Sequence, residues 1–334
     1  MFIKILECIM KYTDRVYGNF EIIEPVVLEL ISSPTLQRLK EIDQAGYFEP
    51  HFPGTAHSRF EHSVGDYLLL TMFGAPIEER TAGLIHDVSH SAFSHCIDYV
   101  LDAGSQKEHS HQDNIFDEFV RKSEIPEIFK KYNLDLDYIL DDRNFPLKET
   151  VLPDICADRI DYSLRTATVF GEIENGKYFV DNLTADNGRW IFKNFESAQN
   201  YAELFLKLNT KYYSGLPSAV MFLTVGGYLR YALSKGYIVE TDLYTTDKAV
   251  LAKIEPHIAT DPELALLFDR MNNKIGFRND SKDYDGKVFC KSRVVNPLCR
   301  HDGKIQRVSE IKRGWNDVIK RESIPKEYFI KFDA

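Results

Sequence analysis

Apolar residues recur along the first two thirds of the chain at the three- and four-residue spacing of amphipathic helices. Within residues 25–45 this spacing predicts two helices that are separated at Ser32-Ser33-Pro34. Residues 46–58 contain two glycines and two prolines, so they are predicted to form a loop. The spacing predicts further helices over residues 60–73, 77–87, 112–121, 125–132, 153–168 and 195–235, the last of them broken near Gly215-Leu216-Pro217.

Strand-like patterns occur in the second half of the chain. Residues 178–180 and 189–192 flank the turn sequence Asp186-Asn187-Gly188, which predicts a β-hairpin. Residues 287–295 and 328–332 alternate between apolar and polar side chains at a period of two, which predicts strands. No further catalytic motif is recognised in this last third of the chain.

These elements predict a mainly α fold, with a helical domain over residues 1–235 and a smaller α+β portion over residues 236–334. With 44% hydrophobic and 28% charged residues among 334, the composition is that of an ordinary globular protein. Residues 1–10 are apolar, but Glu7 interrupts them and no cleavage site follows, so they predict a short helical or strand extension. No apolar run is long enough to cross a bilayer, and we expect a cytoplasmic protein.

The net charge and the cysteines indicate which kinds of partner and which redox environment to expect. The formal net charge of −10 argues against a general nucleic-acid binder, although a few arginines in a cleft would still attract a small anion. The five cysteines are odd in number and include no Cys-x-x-Cys pair. They are therefore predicted to be buried reduced thiols.

Candidate chemistry lies in a set of histidines and aspartates. His86 and Asp87 adjoin each other at the end of an apolar run, while His62 precedes them by 24 positions and Asp158 follows Asp87 by 71. Two imidazoles and two carboxylates could hold one divalent cation, with Mn, Fe, Zn, Ni and Mg all compatible, and leave room for water and substrate. This pattern indicates hydrolysis by a metal-activated water.

Each histidine taken alone is more often a hydrogen-bonded structural residue than a ligand. The clustering favours a site, because seven of the 10 histidines lie within residues 57–111. If the helix over 77–87 continues, His90 shares a face with His86. Arg159 and Arg165 could meet substrate phosphates near Tyr162, or they could be ordinary surface arginines.

Five ordered segments resemble the HD-domain phosphohydrolase superfamily. They are Asp14-Arg-Val-Tyr-Gly18, Gln37-Arg-Leu-Lys-Glu-Ile-Asp-Gln-Ala-Gly46, Phe52-Pro-Gly-Thr-Ala-His-Ser-Arg-Phe-Glu-His-Ser-Val-Gly65, His86-Asp-Val-Ser-His-Ser-Ala-Phe-Ser-His95 and Asp158-Arg-Ile-Asp-Tyr162. The resemblance spans roughly residues 14–170 and is nearest to the deoxynucleoside triphosphate triphosphohydrolases, which include the vertebrate SAM-and-HD-domain protein and bacterial dGTPases. It implies an HD-domain helical bundle and a phosphorylated substrate.

The resemblance also implies a role for each matching residue. The metal ligands would be His62, His86, Asp87 and Asp158, with a second cation as an option. Phosphate would be met by Arg59 and Arg159, and the nucleoside sugar by Gln44 and Tyr162. His111, which matches the family's later catalytic histidine better than His109, would be oriented by Asp98. His90 and His95 would line the phosphates, and one of these imidazoles would protonate the leaving oxygen.

Three positions depart from the triphosphohydrolase pattern. Thr166 stands where an acidic residue helps to recognise the sugar, Gln112 stands where an acid is common, and residues 208–214 carry Lys211 as their only cation in place of a cluster of Arg and His. The expected function is therefore a metal-dependent phosphohydrolase that cleaves a phosphoester or phosphoanhydride of a nucleotide, with a dNTP as one option.

Three alternatives stay open. The substrate could be another nucleotide or a small phosphoester, or the protein could be a non-catalytic nucleotide sensor that keeps the metal cavity. The histidines and aspartates could also be structural polar groups in a helical core. Relatives commonly assemble, so a homo-oligomer is a further expectation, with the C-terminal portion as a contact surface.

Overall fold

The computed structural model describes residues 9–101 and 105–333. Most of the predicted N-terminal extension, together with Cys8, lies outside the described residues. The other four cysteines, Cys96, Cys156, Cys290 and Cys299, are buried free thiols as predicted. Within the described ranges, no helix combines the length and the apolar character that crossing a membrane requires.

The first two thirds of the chain form a helical bundle, as the apolar spacing predicts. A hairpin precedes it, made of β1 (Met10–Asp14) and β2 (Gly18–Ile22), with Asp14 opposite Gly18. The helices are α1 (Pro25–Ser32), α2 (Pro34–Arg38), α3 (Arg59–Met72), α4 (Ile77–Ile85), α5 (His111–Lys122), α6 (Ile125–Lys131), α7 (Leu136–Leu140), α8 (Ala157–Val169), α9 (Lys177–Asp181), α10 (Phe195–Leu208) and α11 (Leu216–Ser234).

Short helical turns lie between several of these helices. Three are 3-10 helices within the bundle, Leu39–Glu41, Ser94–Tyr99 and Asp142–Asn144, and a fourth, Glu240–Tyr244, follows α11. A π-helical turn, Asn209–Tyr213, separates α10 from α11 close to the break that Gly215-Leu216-Pro217 predicts. Loop residues 46–58 carry no regular helix or strand, also as predicted.

Local sequence signals explain where the helices that carry the site begin. Ser58 and Glu61 form a reciprocal capping box, in which each side chain accepts from the other's backbone N–H, and this starts α3. Ser33 accepts a hydrogen bond from the Leu36 N–H and starts α2, with Pro34 in the first turn. These caps set the register that places His62 in the first turn of α3.

The C-terminal third combines helices with two small sheets. Its helices are α12 (Asp247–Ile258), α13 (Pro262–Met271), α14 (Val308–Ile311) and α15 (Trp315–Glu322). With β3 (Leu183–Asp186) and β4 (Arg189–Phe192) from the predicted hairpin, the remaining strands are β5 (Phe277–Asn279), β6 (Gly286–Cys290), β7 (Leu298–His301), β8 (Lys304–Arg307) and β9 (Lys326–Phe332).

The two sheets link this third to the bundle. One has the antiparallel order β5-β9-β6, with Val288 opposite Tyr328. The other has the order β3-β4-β7-β8, and β4 pairs with β7 in parallel, with Ile191 opposite Leu298. A shared apolar core contains side chains of α8 and α10 together with Val295. The predicted division at 235/236 stays a prediction, and both a sheet and a core cross it.

Four local predictions are wrong. Residues 178–180 lie in α9 and not in a strand, because the turn at Asn187-Gly188 pairs β4 with Leu183–Asp186, which leaves the earlier residues outside the hairpin. Helix α4 ends at Ile85, so His90 does not follow His86 on a continuous helix. Residues 291–295 follow β6 without forming a regular strand, and residues 153–156 precede α8.

Helix α3 lies at the centre of the bundle. Its Val64 and Tyr67 belong to one apolar core, whereas its Leu69 and Leu70 belong to another. Gly65 allows α8 to approach closely, since a Cβ at this position would lie 2.1 Å from Asp161 Oδ1 and 2.2 Å from Arg165 Nη2. This close approach brings the first turn of α3 beside the first turn of α8.

We expect Gly65→Ala to lower the free energy of unfolding by about 2–4 kcal/mol, because the added methyl group displaces a buried ion pair. Gly227→Ala is the matched control, since its Cβ would meet nothing nearer than Leu267 Cδ2 at 3.9 Å. The control should stabilise helix α11 by up to about 1 kcal/mol. Urea unfolding of both variants checks this, and equal effects at the two glycines would contradict the close approach of α3 and α8.

Candidate metal centre and active-site cavity

Three separate segments bring two imidazoles and two carboxylates together. His62 lies in the first turn of α3, His86 and Asp87 directly follow α4, and Asp158 lies in the first turn of α8. His62 Nε2 is 3.1 Å from Asp158 Oδ1, 3.2 Å from His86 Nε2 and 3.7 Å from Asp87 Oδ2. His86 Nε2 is 3.3 Å from Asp87 Oδ1 and 3.7 Å from Asp158 Oδ1.

These separations suit donors around one small cation. Metal–ligand bonds of roughly 2.0–2.2 Å set neighbouring ligand atoms about 3.0–3.5 Å apart. The residues that the sequence predicts as ligands therefore converge through Nε2 of each imidazole and one or both oxygens of each carboxylate. The mixed N/O set matches the chemistry of divalent transition metals and Mg²⁺.

Hydrogen bonds at the opposite edge of each ring hold the imidazoles in this orientation. His62 Nδ1 lies 2.7 Å from Asp161 Oδ2, and His86 Nδ1 lies 2.6 Å from the carbonyl oxygen of Gly83. Because both of these partners accept, Nδ1 carries the proton and the Nε2 lone pair is free to face a cation. This arrangement is common for metal-binding histidines.

Asp161 is in turn held by a buried charge network. Arg165 donates to Asp161 through Nε at 3.0 Å and Nη2 at 2.8 Å, and Nη2 also reaches Asp14 Oδ2 at 3.0 Å. Arg165 is fully buried and takes no part in the cavity wall, so the expectation that it could meet phosphate is wrong. Asp161 is a functional residue that was not identified from the sequence, although its place three residues after Asp158 was a usable signal.

Asp66 also lies near both imidazoles, but beside their Nδ1 atoms. Its Oδ1 is 3.8 Å from His62 Nδ1, and its Oδ2 is 3.5 Å from His86 Nδ1. The carboxylate therefore faces the Nδ1 edges and not the converging Nε2 atoms. Burial, followed by the negative charge of neighbouring aspartates, raises the pKa of Asp66 well above its usual range.

The donor set stabilises positive charge. Burial alone would lower the pKa of His62, but the carboxylates of Asp66, Asp158 and Asp161 raise it to about 10. The pKa of His86 is raised to about 9 in the same way, chiefly by Asp87 and Asp158 against the effect of burial. Sites of excess buried negative charge attract a proton or a metal cation, and the two compete for the same nitrogens.

A cavity of about 650 Å³ adjoins this donor set, and its lining includes the predicted substrate contacts Gln44, Arg59, Arg159 and Tyr162, together with His95. His90 does not line it, so the expectation that His90 meets the phosphates is wrong, because its ring lies behind His95 and beside Asp87. Arg59 is fixed at two atoms, with Nη1 at 2.7 Å from Asp87 Oδ2 and Nε at 3.0 Å from Ser94 Oγ. Its Nη2 is buried without a hydrogen-bond partner among the described residues. Arg159 donates from Nη2 to Glu149 Oε1 at 3.0 Å.

Neutral polar atoms and aromatic rings complete the wall. Gln44 Oε1 and Tyr162 Oη are buried and find no hydrogen-bond partner in the part of the chain that the structure describes. Thr166, the departure from the triphosphohydrolase pattern, lines the same cavity. Rings on the wall include Phe48, Phe116, Tyr212, Tyr213 and Phe222.

The histidines beyond the donor set form a row of rings. The ring centroids of His90 and His95 are 5.1 Å apart, and those of His95 and His109 are 4.9 Å apart and stacked. His90 Nε2 lies 3.3 Å from Asp87 Oδ1. Burial, reinforced by neighbouring positive charge such as that of Arg59 near His90 and His95, lowers the pKa of all three well below the usual range, so they are neutral.

His111 lies elsewhere than the resemblance implies. Its Nε2 is 3.1 Å from Tyr244 Oη, and it does not line the cavity, whereas His109 does. Asp98 Oδ1 accepts from the backbone N–H of His111 at 3.0 Å, so it holds the chain and not the ring. The expectation that Asp98 orients the His111 ring is wrong, because its other oxygen faces His95 Nδ1 at 3.8 Å.

Several residues of the wall were not identified from the sequence. Lys148 and Glu149 come from the loop before α8, and Lys291 and Arg293 come from the segment that follows β6. No local motif marks these four, and the last two lie more than a hundred positions beyond Tyr162, the last of the site residues predicted from the sequence. His95, Asp98 and His109 also bring possible donor atoms within 4.8 Å of one another.

The chain is similar in sequence to several known proteins, although no protein-family model matches it. The chain is 34% identical over 298 residues to the uncharacterized protein YdhJ of Bacillus subtilis, covering 88% of this chain and 90% of that one. It is 36% identical over 176 residues to the metal-dependent phosphohydrolase cns2 of Cordyceps militaris, covering 52% and 50%. It is 30% identical over 162 residues to the mouse deoxynucleoside triphosphate triphosphohydrolase SAMHD1, covering 39% and 24%.

Solved structures share the fold over nearly the whole length. A phosphohydrolase from Bacteroides thetaiotaomicron superposes with a TM-score of 0.74 at 18% identity, covering 98% of this chain and all of that one (100%). A hypothetical protein from Aquifex aeolicus superposes with a TM-score of 0.72 at 18% identity, covering 98% and 97%. With the ordered motifs and these relatives, the chain belongs to the HD-domain phosphohydrolase superfamily.

Proposed function

We propose that this protein hydrolyses a phosphoester or phosphoanhydride bond of a nucleotide at the cavity beside His62, His86, Asp87 and Asp158. The observation that carries the proposal is the meeting of a cation-type donor set with two arginines on one cavity wall. A purely structural role would not require the Nε2 atoms of two imidazoles to face each other at 3.2 Å.

The four donors would hold one divalent cation, with Mn, Fe, Zn, Ni and Mg all compatible with the ligand types. Such a cation would polarise a phosphoryl oxygen and lower the pKa of a water molecule from far above the neutral range to about 7. Asp161 and the carbonyl of Gly83 keep the imidazoles in the tautomer that this binding needs.

Arg59 and Arg159 would bind the phosphoryl group under attack. Because Asp87 and Ser94 fix two nitrogens of Arg59, its buried Nη2 is pre-positioned to donate to a phosphoryl oxygen. A donor fixed in advance needs no reorganisation as negative charge develops, which is the main source of electrostatic catalysis. Arg159, held by Glu149, would add a second positive charge.

The row of neutral imidazoles would handle the proton of the leaving group. His95 and His109 line the cavity, so we assign to His109 the catalytic role that the resemblance gave to His111. A bound phosphate would raise the depressed pKa of these rings, and one of them would then carry a proton to the leaving oxygen. His90, beside Asp87, and Asp98, beside His95, would be positioning residues.

The nucleoside would occupy the remaining neutral wall. Gln44 and Tyr162 offer unpartnered buried polar atoms to a sugar, and the aromatic rings offer faces to a base. A deoxynucleoside triphosphate split into deoxynucleoside and triphosphate is the finer proposal, supported by the similarity to SAMHD1. A cytoplasmic location and a homo-oligomeric state stay predictions.

A panel of ribo- and deoxynucleotides with Mn²⁺, Mg²⁺, Co²⁺ or Fe²⁺ tests the function, with phosphate, pyrophosphate and triphosphate release as the measurement. We expect turnover of at least one nucleotide, and a fall of at least about a hundredfold in Asp87→Ala, which loses a ligand and the partner of Arg59.

Asp117→Ala is the control for that variant, because Asp117 is an exposed acid of α5 that pairs with Arg121. It should leave turnover unchanged. Turnover that survives Asp87→Ala would refute this site. Tight nucleotide binding with no turnover in any metal would favour the sensor alternative.

Metal analysis distinguishes the two faces of the imidazole pair. Asp158→Asn should reduce metal affinity by about ten- to a hundredfold or more, because Asp158 faces Nε2 of both rings. Asp66→Asn is isosteric and faces the Nδ1 edges, so it should still bind about one cation per chain. Elemental analysis after dialysis is the measurement, and the reverse result would put the cation on the Nδ1 side.

A further inference from the structure

The segment that follows β6 presents two cations to the cavity. Lys291 and Arg293 line the cavity, whereas Ser292 between them is buried and points away, with its Oγ 3.0 Å from Asn209 Nδ2. The Arg293 N–H donates to Asn209 Oδ1 at 2.8 Å, which fixes the backbone of the segment. Asn209 thus holds the segment through Ser292 and the Arg293 backbone, while the side chains of Lys291 and Arg293 face the cavity.

These two cations differ from the others on the wall in having no acidic partner. Each of the other cations on the wall has one: Arg59 pairs with Asp87 at 2.7 Å, Arg159 with Glu149 at 3.0 Å, Lys148 with Asp142 at 2.5 Å and Arg143 with Asp141 at 2.6 Å. Within residues 9–101 and 105–333, neither Lys291 nor Arg293 forms an ion pair. Lys291 Nζ donates to the backbone carbonyl of Glu108 at 2.5 Å.

The positive charge of Lys291 and Arg293 is not offset by an ion pair among the described residues, and it lies in a partly buried environment. Burial, followed by repulsion from Arg293, lowers the pKa of Lys291 to about 8, against a smaller opposite effect of Asp113. Arg293 also lowers the pKa of His95 and His109, which places its charge beside the catalytic histidines. In a chain of net charge −10, such a group of cations marks a place built for an anion.

We propose that Lys291 and Arg293 form a second phosphate subsite, so that the substrate carries a polyphosphate tail and not a single phosphate. This inference rests on the proposed function and specifies its substrate class. The donor set, Arg59 and Arg159 suffice to bind one phosphoryl group. The additional positive charge of Lys291 and Arg293 would therefore bind additional phosphoryl groups. A guanidinium and an ammonium suit terminal phosphate oxygens.

The same subsite accounts for the missing basic cluster in residues 208–214. Lys211, the only cation there, is largely exposed, pairs with Glu172 at 2.9 Å and does not line the cavity. Lys291 and Arg293, which are remote along the chain, thus supply the positive charge that residues 208–214 lack. Asn209, from the same π-helical turn as Lys211, contributes by holding that segment in place.

Steady-state kinetics on one nucleoside as its mono-, di- and triphosphate test the subsite. Arg293→Gln and Lys291→Gln should raise KM for the di- and triphosphate by about tenfold or more, and raise the monophosphate KM by a much smaller factor, less than about twofold. Arg300→Gln and Lys304→Gln are matched controls on exposed residues of β7 and β8, and should change none of these values.

Calorimetric binding of inorganic triphosphate and of inorganic phosphate to the Mn²⁺-loaded protein separates this inference from the proposed function. If no nucleotide is turned over, weaker triphosphate binding in Arg293→Gln than in Arg300→Gln still supports the subsite. Equal triphosphate binding in those two variants overturns it, and so does a loss of mono- and triphosphate hydrolysis in equal proportion.

Thermal melts must first show that the variants fold as the native protein does. Arg293→Lys keeps the positive charge on a shorter side chain, so it should recover part of the preference for triphosphate. This variant also tests the subsite if Arg293→Gln proves unstable. If the triphosphate preference of Arg293→Lys is no greater than that of a folded Arg293→Gln variant, then charge at this position does not hold the phosphate tail. That result would also overturn the subsite.

Discussion

The hydrogen bond from His62 Nδ1 to Asp161 Oδ2 ties the chemistry of the site to the packing of the bundle. It spans α3 and α8 at the point where Gly65 lets the two helices come close, and Arg165 and Asp14 extend it into a fully buried network. Buried charges are costly unless they are paired and hydrogen-bonded, and removing one partner from such a pair costs about 3–5 kcal/mol. The network therefore specifies one relative placement of the helices, and with it one orientation of the His62 ring.

A second set of contacts fixes the segment that follows α4. Arg38 Nη2 donates to the carbonyl oxygens of Val88 at 2.6 Å and His90 at 2.8 Å, and Asp247 Oδ1 accepts from the Phe93 N–H at 2.7 Å. Phe93 and Ser94 have φ angles of 60° and 42°, a left-handed conformation that costs a non-glycine residue about 1–3 kcal/mol. The contacts around them offset this strain. In this conformation Ser94 Oγ accepts a hydrogen bond from Arg59 Nε at 3.0 Å, which helps to position the Arg59 side chain in the cavity.

Asp247 and the residues of the 291–293 segment come from the C-terminal third, which therefore takes part in the site rather than only flanking it. The bundle contributes acidic groups and imidazoles, which favour a cation, while the C-terminal segment contributes unpaired cations, which favour an anion. A metal cation and a phosphorylated substrate need these two kinds of surface side by side.

The sequence by itself determined the mainly α fold, most of the helices and the identity of the four converging donors. Those features depend on signals that are local in the chain, such as apolar spacing, helix caps, the Asn187-Gly188 turn and ordered motifs. Only the tertiary structure decided that Asp161 and not Asp66 orients His62, that His109 and not His111 lines the cavity, and that Lys291 and Arg293 reach it. These outcomes depend on which edge of a ring faces a neighbour and on contacts between distant segments, and neither is encoded by residue type or by spacing along the chain.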